Sequence, residues 1–136
     1  MNYQKIDIKT RSSLSEGSLS FFETSDTNFS MKRFYYIYDA PANTKRGGHA
    51  HRKLKQLLFC PYGKIRIELD DGYERKVEIL DNPGEALLLQ PGIWRDMYWI
   101  KENSVLCVAA SEEYDEKDYI RNYKEFLQWK QEMENK

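Results

Sequence analysis

The chain has 136 residues, enough for one domain with a single core and too few for two comfortable ones. Its net charge of −1 provides no basic field to recruit nucleic acid. No apolar run approaches the roughly eighteen residues that a membrane span requires, and no apolar stretch follows the charged start Met1–Arg11, so no secretory signal is expected and a cytoplasmic location is.

Three tryptophans, ten tyrosines and six phenylalanines are a rich aromatic supply, suited to strands and to ring-stacking pockets. Cys60 and Cys107 both lie in apolar runs and read as buried free thiols, although a disulfide between them stays open.

In chain order, two weak strand candidates come first, Gln4–Ile8 and Ser18–Glu23. Lys32–Asp39 is aromatic and β-rich. Gln56–Cys60 is a short apolar run that Pro61-Tyr62-Gly63 punctuates. Lys64–Leu69 alternates strictly, with Ile65, Ile67 and Leu69 on one side, the period-2 signature of a half-buried strand. Asp70-Asp71-Gly72 makes a hairpin turn, and Arg75–Leu80 returns from it. Asp81–Gly84 turns again before Ala86–Leu89; Pro91-Gly92 precedes Trp94–Ile100, and Val105–Ala110 follows. Short strands at this spacing predict an all-β sandwich or barrel. From Glu112 the character changes. Tyr119, Tyr123, Phe126, Leu127 and Lys130 fall at helical spacings, so Asp115–Lys136 is expected to form one or two amphipathic helices capping the barrel.

The only histidines, His49 and His51, stand two apart after Gly47-Gly48. In a strand both imidazoles face one side; in a helix they diverge. Spacing alone fits a polar surface strand equally well. The segment Gly48-His49-Ala50-His51, followed by Gln56 and Gly63, resembles the first cupin motif, with Gln56 where a glutamate is usual. Gly84, Ala86–Leu89 and Pro91-Gly92 resemble the second, with Arg95 at the histidine position. The resemblance implies a cupin-type β-barrel, or jelly roll, as one domain over residues 1–136 with a short C-terminal helix. A cupin metal site uses three histidines and a carboxylate. Two imidazoles, an amide and a guanidinium make a poor divalent-cation site, so neither metal nor cofactor is expected. The same set suits proton abstraction beside a carbonyl: imidazole titrates near neutrality, and a nearby cation favours an enediolate.

Arg33–Asp39, Arg46–His51, Lys55-Gln56, Leu69–Gly72, Pro91–Met97 and Ala110–Tyr123 together resemble the dTDP-4-keto-6-deoxyhexose 3,4-ketoisomerases, metal-free cupins of bacterial deoxysugar pathways. The resemblance runs from about Met31 to Phe126. It implies a dTDP-4-keto-6-deoxy-D-glucose substrate, proton removal at C3, an enediol, and reprotonation at C4. It assigns the proton traffic to His49 and His51, with His51 as the base between C3 and C4 and His49 serving the oxygen protons. It further implies that Arg46 meets sugar or pyrophosphate, that Arg33 or Arg121 grips the diphosphate, and that Tyr36 and Trp94 line the sugar pocket or stack on thymine. Gln56 and Arg95 occupy former ligand positions that point inward, and arginine at the latter resembles members with a gluco-configured product. Glu16-Gly17-Ser18 stands where many members carry Arg or Tyr beside a Gly-Ser pair. The family forms dimers that exchange N-terminal strands, so a homodimer is expected. A 3,5-epimerase-like cupin using a tyrosine acid and a non-catalytic sugar-binding cupin are the competing readings.

Overall fold

A computed structural model describes residues 1–136. Twelve strands run β1 (Tyr3–Asp7), β2 (Lys9–Ser13), β3 (Gly17–Phe21), β4 (Arg33–Ile37), β5 (Lys45–His51), β6 (Gln56–Tyr62), β7 (Ile65–Asp70), β8 (Arg75–Leu80), β9 (Glu85–Leu89), β10 (Trp94–Trp99), β11 (Val105–Ala110) and β12 (Tyr119–Ile120), and one helix, α1 (Tyr123–Glu134), ends the chain. Two five-stranded antiparallel sheets, β1-β9-β6-β11-β4 and β12-β5-β10-β7-β8, face each other, while β2 and β3 form a separate hairpin. This is the cupin-type jelly roll.

The pattern of each strand follows from what covers its two faces. On β7, Ile65, Ile67 and Leu69 enter the core between the sheets, while Arg66 and Glu68 stay half-exposed. The runs of β6, β9 and β11 do not alternate, because both faces of their sheet are buried. Leu58, Cys60, Leu87, Leu89, Leu106 and Val108 point into the main core; Leu57, Ala86, Leu88 and Ala109 point the other way, beneath Ile8, Phe22 and Phe29 of the N-terminal segment. Cys60 and Cys107 are buried and unpaired. No helix is long and apolar enough to cross a membrane.

Three elements differ from expectation. Pro61 does not end its strand: β6 continues to Tyr62, and the register against β11 shifts between Val105 and Cys107, the kind of irregularity at which a residue without an N–H is tolerated. The strand β2, polar and solvent-facing along its length, carries no apolar signal to reveal it. The expected helix over Asp115–Lys136 begins only at Tyr123. Ahead of it, Glu116–Asp118 form a 3-10 turn whose start is capped by the Asp115 side chain, and Tyr119–Ile120 pair with the end of β5. Asn122 then accepts a hydrogen bond from the Glu125 N–H at 3.0 Å, an N-cap that fixes the true helix start. Phe126 is buried with Ala50, Trp94 and Ile120, and so seats the helix on the outer face of the second sheet.

The strand that carries the histidines has one irregularity of consequence. Against β10, Arg95 pairs with His49 but Asp96 pairs with Gly47, so Gly48 is an extra residue. Both glycines have positive φ, +95° at Gly47 and +70° at Gly48. A Cβ on Gly47 would lie 2.8 Å from the Arg95 carbonyl oxygen, so only glycine fits this close approach. The bulge also corrects a parity. Arg46 and His49 are three apart and would face opposite sides of a regular strand; the additional residue returns them to the same side.

Candidate active site

The edge strands β4 and β12, one from each sheet, both contribute to one cleft. It has a volume of about 510 Å³ and is lined by Arg33, Tyr35 and Ile37 from β4, Arg46, Gly47 and His49 from β5, and Met97, Tyr119 and Arg121. The strand period explains the β4 contribution, since residues 33, 35 and 37 share a face.

His49 borders this cleft, and His51 lies behind it. The two rings are 4.9 Å apart between centroids and nearly perpendicular. Tyr119 packs against both, 5.1 Å from His49 and 4.4 Å from His51. His51 has no solvent exposure. Its Nδ1 lies 2.9 Å from Asp118 Oδ2, while its Nε2 is buried without a partner. An ionised carboxylate is an acceptor only, so Nδ1 carries the proton and Nε2 presents a lone pair.

Beneath the rings is Arg95, 1 % exposed. One Nη donates to the Gln56 side-chain oxygen and the other to the Ile93 carbonyl at 2.9 Å; Nε has no partner. Gln56 in turn donates to the Tyr35 hydroxyl at 3.3 Å. Burial brings the Arg95 guanidinium down to about 10, still charged at neutral pH. Burial first, and then this cation, push His49 down to about 3 and hold His51 far below the usual imidazole range. Both rings are therefore neutral under ordinary conditions.

The cupin fold commonly holds a metal, and the donor set here does not suit one. Where a third ligand and a fourth would stand, Gln56 and Arg95 bond to each other, and nowhere do three or more His, Cys, Asp or Glu side chains converge in a way that could hold a cation.

Of the residues singled out in the sequence, Arg33, Arg46, His49 and Arg121 meet at the cleft, with His51, Gln56 and Arg95 packed behind. Two are elsewhere. Tyr36 is on the outer face of β4, 57 % exposed, in a row with Phe34 and Tyr38. It is three positions from Arg33, and β4 has no irregularity to bring the two together. Trp94 faces outward beneath α1, edge-on to Tyr123 at 5.4 Å, because its neighbour Arg95 takes the inward position. Neither lines the cleft. Sequence reasoning passed over Tyr35, Asp118 and Tyr119. The alternation of β4 marks Tyr35 as the partner of Arg33. Tyr119 was masked by its helical spacing to Tyr123, although the Asn122 cap marks it as lying before the helix.

The arginines are not equivalent. Arg121 makes a two-point contact with Glu116, at 2.7 and 3.0 Å, and stacks on Tyr119 at 4.2 Å. Arg33, with its Nε buried and unpartnered, lies over the rings of Tyr35 and Tyr114, and neither Arg33 nor Arg46 is paired with a carboxylate.

Comparison with known proteins matches this architecture to a specific class. The FdtA family, described as WxcM-like, C-terminal, matches residues 1–131. The TDP-4-oxo-6-deoxy-alpha-D-glucose-3,4-oxoisomerase of Aneurinibacillus thermoaerophilus is 40 % identical over 129 residues, covering 95 % of this chain and 89 % of the relative. The crystal structure of the sugar 3,4-ketoisomerase QdtA from Thermoanaerobacterium thermosaccharolyticum, in complex with TDP, superposes with a TM-score of 0.92 at 38 % identity, covering 97 % of this chain and 96 % of that one. A histidine-to-asparagine variant of QdtA, in complex with TDP-4-keto-6-deoxyglucose, superposes equally well, with a TM-score of 0.92 at 37 % identity over 96 % of this chain and 95 % of that one. The chain belongs to the FdtA family of sugar 3,4-ketoisomerases and is an isomerase of deoxysugar biosynthesis.

Lowered histidine pKa values carry a sign. Unfolded histidines take up protons near pH 6.5, whereas the folded rings stay neutral to much lower pH, so stability falls as pH drops below about 6.5. In ¹H–¹⁵N spectra, neither ring should protonate between pH 8 and pH 5 (about three units of range). A ring titrating with a midpoint near or above 6 would contradict the electrostatic account.

Proposed function

We propose that this chain converts TDP-4-keto-6-deoxyglucose into a TDP-3-keto-6-deoxyhexose by moving a proton from C3 to C4. The observation that carries the reading is the state of His51. Its Nδ1–H is committed to Asp118, and its Nε2 lone pair is buried and unclaimed beside the cleft. A neutral imidazole held in that tautomer is a general base.

His51 Nε2 takes the C3 proton, and the electrons of the broken C–H bond form a C3–C4 double bond as the O4 carbonyl becomes an alkoxide. His49, facing the cleft, gives a proton to O4 and recovers one from the O3 hydroxyl. His51 returns its proton to C4, leaving the carbonyl at C3, with no net gain or loss of protons. The charge that develops on oxygen falls near Arg95, a cation already desolvated and oriented by Gln56 and the Ile93 carbonyl. Arg33 and Arg46, which have no carboxylate partner, receive the diphosphate, while the charge of Arg121 is largely met by Glu116. Arginine at position 95 favours the gluco-configured product, by the family resemblance described above.

Replacing His51 by asparagine should lower turnover by roughly 10²–10⁴-fold, the usual worth of a general base, while TDP still binds with an affinity within about threefold of the parent. Turnover near the parental value in that variant, assayed by NMR of the product, would remove His51 from the mechanism.

The same reading extends to a homodimer with exchanged N-terminal strands. The β2–β3 hairpin has no third strand, Leu14 at its tip and Leu19 are exposed, and β4 shows Phe34, Tyr36 and Tyr38 on its outer face. A lone two-stranded hairpin is marginal in water, and such a patch is characteristic of an interface. Sedimentation equilibrium should return twice the 16.2 kDa chain mass; a monomer at micromolar concentration would refute the assembly.

A further inference from the structure

The turn before β12 is built around one carboxylate. Asp118 has two oxygens and each has a separate duty: Oδ1 accepts from the Lys53 backbone N–H at 2.7 Å, and Oδ2 faces His51 Nδ1 at 2.9 Å. The side chain is 13 % exposed, and the His51 ring is fully enclosed. The turn itself is clamped. The Asp118 carbonyl accepts from the Arg52 N–H at 3.0 Å, and the Arg52 guanidinium donates to the carbonyls of Lys117 and Tyr119 at 3.0 and 2.9 Å. The start of the turn is held by the Asp115 side chain accepting from the Lys117 N–H at 3.0 Å. These contacts leave the carboxylate little freedom to move away from the ring.

We infer that Asp118 is the positioning residue of the isomerase site: it selects the His51 tautomer with the proton on Nδ1 and thereby makes Nε2 the base, with Arg52 holding the turn that presents it. The inference rests on the reading of His51 as the base. It follows from donor and acceptor counting. An imidazole carries one proton when neutral, and an acceptor-only neighbour at Nδ1 draws that proton to Nδ1. Asp118 touches no substrate atom in this scheme; its effect passes through the ring, as an orienting carboxylate does in other acid–base pairs.

Asp118→Asn provides a sharp test, because the geometry dictates which way the amide turns. The atom facing the Lys53 N–H must accept, so it is the amide oxygen, and the NH₂ then faces His51 Nδ1. A donor at Nδ1 forces the ring proton to Nε2, and the lone pair needed at the substrate is lost. Long-range ¹H–¹⁵N correlation on histidine-labelled protein should show the Nδ1–H tautomer for His51 in the parent and the Nε2–H tautomer in Asp118→Asn. Turnover should fall by roughly 10²–10⁴-fold, while KM stays within about threefold, a split that general loosening of the site would not produce. A parent ring already in the Nε2–H form would overturn the inference without any variant, and so would an Asp118→Asn protein that keeps Nδ1–H. An inverted tautomer with undiminished turnover would instead overturn the base assignment of His51 on which the inference rests.

Discussion

The site depends on a guanidinium that has been taken out of water. Arg95 is nearly inaccessible, and a buried charge persists only where hydrogen bonds replace its hydration. Gln56 and the Ile93 carbonyl supply those bonds. Burial first, and then this cation, keep both neighbouring imidazoles from taking up a charge, so both remain neutral. The same cation occupies the position at which a cupin would complete a metal site, and in the proposed mechanism it is the group that stabilises the oxyanion. Removing it would leave Gln56 with an unsatisfied polar contact, relieve part of the pressure on both histidines and, in the proposed mechanism, take away the counter-charge of the enediolate.

Two backbone devices then set the geometry around Arg95. The first is the double-glycine bulge of β5, which brings the Arg46 side of the strand onto the same face as His49 while allowing its backbone to approach the Arg95 carbonyl. The second is the turn from Asp115 to Asp118, which leads into a two-residue strand rather than into the helix and so brings Tyr119 against both imidazoles. The helix that follows contributes no residue to the lining of the cleft. It is seated by Phe126 and Trp94 on the outer face, and the Tyr123 hydroxyl donates to Asp70 at 2.6 Å, fixing that end of the chain to β7.

How much of this is legible in the sequence depends on whether the signal is periodic. The alternation of residues 64–69 and the Asp-Asp-Gly turn place β7 and β8 with little error, while the spacing of His49 and His51 puts both rings on one face and only the cupin-motif resemblance makes it the inner one. Tyr36 and Arg46 show where such reasoning divides. Each stands three residues from a site residue, Arg33 and His49 respectively, an odd spacing that should separate them. It does separate Tyr36, which points to the outside, but not Arg46, because Gly48 adds a residue to the strand. The glycine pair was visible, yet the register shift it permits is a tertiary fact set by the close pass of β10. Trp94 and Arg95 are adjacent, so only one can enter the barrel, and the metal-site alignment selects Arg95 correctly. Asp118 and Tyr119 went unrecognised because the helix-like pattern beyond Asp115 hides a strand of two residues, too short to have a period of its own. The polar strand β2 has no apolar residues to announce it, consistent with its lying outside the core of its own chain.

The central claim is that a pair of neutral histidines over a buried arginine relocates a carbonyl along a nucleotide-linked sugar, with no metal taking part. It is tested most directly by incubating chelator-treated protein with TDP-4-keto-6-deoxyglucose in D₂O and reading the product by NMR. The account predicts a 3-keto sugar, formed at a rate unchanged by the chelator, whose C4 carries mainly the hydrogen that the enclosed His51 took from C3 rather than solvent deuterium. Deuterium at C5 with an inverted centre, or activity that vanishes on chelation and returns with an added divalent metal, would contradict it.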